Sequence, residues 1–155
     1  MRKDSSEGRA PGTKPLALGG LDLLLLDVNV LLALAWPNHQ FHSAATRRLE
    51  RVGQRWATCA LTQIGFIRLS SNPAITGAAV QPREAVSLLA RMVADPLHVY
   101  LPLSPPVEAA KAFEKILGYR QVTDAYLAAV AREHNARLLT FDARARELGN
   151  TEVLS

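Results

Sequence analysis

The chain has 155 residues, 48% hydrophobic and 21% charged, with a formal net charge of +4; this excludes a disordered chain and fits one domain with a sizeable core. Its single cysteine, Cys59, excludes an intrachain disulfide and a cysteine-built zinc site. No apolar run reaches the roughly 18 residues needed to span a bilayer, so a cytoplasmic protein without a membrane partner is expected.

Fourteen of the eighteen basic residues are Arg. The guanidinium fork suits phosphate oxygens, although genomic base composition produces the same bias. Four basic and two acidic residues put +2 of the charge in Met1–Gly20, leaving +2 for the remainder. A diffuse +2 permits nucleic-acid binding without demonstrating it.

Residues 1–20 are polar and rich in Gly, Pro and Ser, and read as a flexible N-terminal extension that lacks the continuous apolar segment of a secretory signal. Leu21–Leu26 is a short apolar run, best read as a buried strand. Val28–Trp36 continues as a helix ending before Pro37. His39–Gly53 reads as an amphipathic helix, with Phe41, Ala44, Ala45 and Leu49 opposite Arg47, Arg48 and Arg51. A strand in RWATC precedes a helix in LTQIGFIRLSSNP, stopped by Asn72-Pro73. A helix over Pro82–Ala94 and a strand in HVYLP follow. PPVEAAKAFEKILG then reads as a helix with Pro at its start and Gly at its end. TDAYLAAVAREHN forms the next helix, with Thr123 as its N-cap. RLLTF is a strand, DARAREL a short helix and TEVL a last strand. Strands alternating with helices imply a parallel sheet covered on both faces, with sites outside the carboxyl ends of the strands.

Asp27 stands inside LDLLLLDVNVLLAL, where an ionised carboxylate is costly unless something pairs with it. Asp142 also follows a strand directly, and Asp124 opens a helix. Taken singly, Asp142 and Asp124 are adequately explained as a cap and a first-turn acid. If all three open onto one end of the sheet they repel one another, and a hard divalent cation removes that penalty.

LLLLDVNVLLAL, TQIGFIRLSSNP and VTDAYLAAVAREHNARLLTFD, in this order and spacing, resemble the PIN-domain proteins of the VapC toxin type from Leu21 to Leu154. The resemblance implies a PIN domain over residues 21–155. The expected fold is a three-layer α/β/α sandwich with a central, mainly parallel sheet of four to five strands. It implies a Mg²⁺- or Mn²⁺-dependent endoribonuclease that uses metal-activated water. It also implies a homodimer restrained by a cognate antitoxin and acting on RNA, tRNA and other structured RNA being candidates. On this resemblance Asp27, Asp124 and Asp142 hold the metal and are catalytic, and Asn29 and Thr140 support the site. Where the family has a glutamate this chain has Gln63, a neutral oxygen ligand at best. Arg68 is a candidate phosphate contact, a surface role being equally compatible with the sequence.

Two other readings stand beside this one. Gln63 could mark a catalytically weakened module that binds RNA or an antitoxin without cutting. An Asp-nucleophile phosphohydrolase would use Asp27 covalently, but it needs a second acid where Asn29 stands.

Overall fold

The computed structural model describes residues 23–155, so the expected extension over residues 1–20 lies outside the described residues. Five strands form one parallel sheet: β1 (Leu23–Leu26), β2 (Trp56–Cys59), β3 (His98–Leu101), β4 (Ala136–Thr140) and β5 (Thr151–Val153), in the order β3-β2-β1-β4-β5. Six α-helices accompany them: α1 (Val28–Ala35), α2 (His42–Leu49), α3 (Ala60–Ser70), α4 (Pro73–Thr76), α5 (Pro82–Val93) and α6 (Val122–Glu133).

Alternation along the strands divides the core into two layers. Leu25, Ala57, Cys59, Leu101 and Leu138 pack against the Ala- and Leu-rich face of α6. Leu24, Leu26, Trp56 and Leu139 face the other way, against α1, α2, α3 and α5. Because both faces are covered, β1 is an unbroken LLLL with three residues at 0% exposure rather than an alternating strand. The expected three-layer sandwich is therefore what this sequence builds.

Four local expectations differ. PPVEAAKAFEKILG is not one helix but separate 3-10 turns at Val107–Ala109 and Lys111–Lys115. Ala110 between them is extended and buried, and it drops with Phe113 onto the α6 layer, so tertiary docking overrides helix propensity. Asn72-Pro73 ends one helix but also starts α4, the Asn72 side-chain Oδ1 accepting from the Ala74 N–H. Thr123 lies inside α6, whose N-cap is Gln121. The helix expected over His39–Gly53 is confined to α2, and Arg48 points inward rather than along a basic face.

Gly65 sets the approach of α3 to α1. A Cβ there would lie 2.6 Å from Cγ2 of Val28, inside any real carbon contact. Gly65→Ala should cost about 1–3 kcal/mol through this overpacking, read by chemical denaturation. Val28 directly follows Asp27, so the same shift displaces the start of α1.

Candidate active site

In the strand order the chain moves outward from β1 through β2 to β3, then returns to β4 on the other side of β1. The switch point, where clefts form in such sheets, is therefore the gap beyond the carboxyl ends of β1 and β4. Asp27 leaves β1 there, and Asp142 lies two residues beyond β4. α6 runs back to feed β4, so its first turn, carrying Asp124, opens on the same rim.

Asp27 is held at every polar point. Its backbone N–H donates to the Leu139 carbonyl at 2.9 Å, extending the β1–β4 ladder by one rung. Its Oδ1 accepts from the Val28 N–H at 2.7 Å, capping α1. Its Oδ2 accepts from the hydroxyl of Thr140 at 3.0 Å. Thr140, fully buried, also accepts the Asp142 N–H at 3.1 Å, so one hydroxyl ties the two acidic segments together. Even so, burial pushes the Asp27 carboxyl above its ordinary range, with Asp142 adding to the rise and the Thr140 and Val28 bonds opposing it.

Asp124 is pushed up to about 6, chiefly by burial and then by the charges of Asp27 and Asp142. The three carboxylates are thus electrostatically coupled. Asp142 departs from the others because Arg144 lies beside it. The guanidinium donates from Nε at 3.0 Å and from Nη2 at 2.6 Å, and the Arg144 N–H adds a bond at 2.9 Å. These contacts hold the Asp142 carboxyl below its usual range. Among the described residues, no three His, Cys, Asp or Glu side chains already stand as a metal shell; Asp142 is turned onto Arg144 and its own cap.

The donor chemistry nevertheless fits a hard divalent ion. It is all oxygen, surplus in negative charge, and balanced only by one exposed guanidinium.

The remaining expected residues spread out from this centre. Asn29 is exposed on the first turn of α1. Gln63, near the start of α3, donates from Nε2 to Thr58 Oγ1 at 2.9 Å, and that hydroxyl lies 2.8 Å from Nε2 of His98. Burial lowers the His98 pKa, consistent with a neutral ring accepting from Thr58. With its nitrogen so engaged, Gln63 retains its carbonyl oxygen as a free pole. Arg68 is exposed on the last turn of α3, about 7–8 Å further along the helix axis than Gln63. Arg144, which sequence reading passed over, is the cation on the acids; its only local signal was a basic residue two places after a capping Asp. Thr58 and His98 were equally unmarked, because only the sheet brings them together.

Fold and acidic rim define an α/β protein built around coupled carboxylates at the switch point of a parallel sheet. Comparison with known proteins gives the family. The PIN domain model matches residues 24–150. Ribonuclease VapC39 of Mycobacterium tuberculosis is 39% identical over 122 residues, covering 77% of this chain and 88% of that protein. Ribonuclease VapC38 of the same species is 41% identical over 123 residues, covering 78% and 86%. Among solved structures, the sarcin-ricin loop cleaving toxin VapC20 of Mycobacterium tuberculosis superposes with a TM-score of 0.60 at 18% identity. That match covers 85% of this chain and 99% of that one. The chain belongs to the PIN-domain family, among the VapC ribonucleases. That membership sets aside the Asp-nucleophile phosphohydrolase.

Proposed function

We propose that the protein is a Mg²⁺- or Mn²⁺-dependent endoribonuclease, the toxin of a toxin–antitoxin pair. Asp27, Asp124 and Asp142 would hold the ion, and Asn29, Gln63 and Thr140 would support them. The observation that carries this reading is the acidic β1/β4 rim, where the Thr140 hydroxyl donates to Asp27 and accepts from the Asp142 N–H, and Asp124 stands in the first turn of the helix that opens there. Held by these carboxylates, a divalent ion would supply Lewis-acid polarisation of a phosphate and a lowered pKa for water.

The chain's own residues prepare the cleft for this. Thr140 and the Leu139 carbonyl fix Asp27, so that little reorganisation remains when charge arrives. Arg144 holds Asp142, and its exposed guanidinium would be available to an RNA phosphate if a bound cation took its place on the carboxylate. Arg68 is the more distant candidate for the RNA backbone. The cognate antitoxin, the homodimer, a structured RNA substrate such as tRNA and a cytoplasmic setting rest on family membership. No helix among the described residues is long and apolar enough to cross a membrane.

Calorimetric titration with Mn²⁺, beside RNA cleavage in Mg²⁺ and in chelator, tests the proposal. Wild type should bind the ion and lose cleavage in chelator. Asp124→Asn should weaken ion binding by at least about tenfold. A wild-type protein indifferent to metal would leave Gln63 as the mark of a module that binds without cutting.

A further inference from the structure

We propose that Tyr119 and Arg120 form a platform that stacks one unpaired base of the RNA strand beside the cleavage cleft. The proposal rests on the ribonuclease reading and adds to it the seat of a neighbouring nucleotide.

Tyr119 is 82% exposed and Leu117 is fully exposed, side by side at the entrance to a buried helix. The Arg120 guanidinium carbon lies 5.7 Å from the Tyr119 ring centroid, and its Nε donates to the Tyr119 hydroxyl at 3.3 Å. The two form one unit: the guanidinium lies over one side of the ring and reaches its hydroxyl, while the exposed ring keeps its other face toward solvent. Its base is firm. Tyr119–Gln121 is a 3-10 turn closed by the Gln121 N–H on the Gly118 carbonyl at 3.1 Å. The turn runs directly into α6, whose residues Ala125–Ala131 are all buried.

The position follows from topology. α6 begins at the carboxyl rim, so the turn before it lies on that rim, five residues ahead of Asp124 and about 10 Å away at 3-10 and helical rise. A base stacks on an aromatic face irrespective of its identity, while an Arg at the edge meets the adjoining phosphate. The ring and the guanidinium offer both contacts together, and an unpaired nucleotide is the occupant that needs both.

The test is steady-state cleavage of a short single-stranded oligoribonucleotide by wild type, Tyr119→Ala, Tyr119→Phe and Arg120→Gln. It is paired with binding of the same oligonucleotide in chelator, where no cleavage intervenes. The exposure of Tyr119 means that all variants should fold, which circular dichroism checks. Tyr119→Ala should raise KM and the chelator Kd about tenfold with kcat retained, and Tyr119→Phe should keep wild-type values. Arg120→Gln should flatten the salt dependence of binding by roughly 0.7 in log–log slope. If wild type cuts RNA but Tyr119→Ala keeps its KM, the platform is wrong and the ribonuclease stands. A loss as large in Tyr119→Phe would replace stacking by a hydroxyl role and also overturn it. A wild type that cuts no RNA in either metal would remove the ribonuclease reading and the platform with it.

Discussion

Asp27→Asn is expected to lower RNA cleavage by about a thousandfold while leaving the metal-free protein folded and more stable than wild type. Losing one carboxylate of the set removes about 4 kcal/mol of charge stabilisation at the reacting phosphate, and each 1.4 kcal/mol is about a factor of ten. Stability moves the other way because asparagine keeps an oxygen to cap α1 at Val28, and its amide reverses the Thr140 bond by donating to Oγ1, without the buried charge. The sign follows from the carboxyl's position above its ordinary value of 3.8. Such a group favours folding at low pH, and that contribution is lost as pH rises through the folded-state value. The advantage of the Asn variant should therefore grow in chelator as pH rises from about 4 through the folded-state value of the carboxyl, read from thermal melts. A variant that melts lower than wild type at neutral pH and still cuts RNA would reduce Asp27 to a helix cap.

The second large effect lies away from the cleft. Arg48, 7% exposed, reaches from α2 to Glu152 on β5, donating to both carboxylate oxygens; its Nη1 donates to Gln54 Oε1 at 2.7 Å. Gln54 in turn donates to the Arg55 carbonyl at 2.8 Å, and Arg137 stands 3.6 Å from Glu152. Glu152→Gln leaves a guanidinium buried without its counter-charge, a loss of about 3 kcal/mol, at the lower end for buried pairs because Glu152 is 21% exposed. Arg48 holds the Glu152 carboxyl below its ordinary 4.5, so the pair contributes fully above that pH and is lost as pH falls through the lower folded value. Denaturant midpoints of wild type and Glu152→Gln should differ most at pH 7 and converge toward pH 3. Equal midpoints at pH 7 would mean that the pair adds nothing to the fold.

Asp27 was legible because a carboxylate in a leucine run has no cheap explanation, and the alternation of strands and helices carried the parallel sheet with it. The acids could be expected on one rim once each was seen at a strand end or a helix start. The Arg144 contact could not, since a basic residue two places after a capping Asp is ordinary at a helix start and nothing local says that its guanidinium turns back onto that carboxylate. Arg48 sat among arginines on an amphipathic helix and looked like solvent-facing charge; its partner is 104 residues away. The chain from Gln63 to His98 crosses from α3 through β2 to β3, so local pattern carried no trace of it. The helix misread before α6 fails for the same reason, since Ala110 answers to a distant layer.

The Thr140 hydroxyl joins residues 113 positions apart. No ribosome-bound or prematurely terminated product that stops short of β4 has this latch, whatever else it has folded. The tie between Asp27 and Thr140 therefore cannot form until synthesis has passed β4.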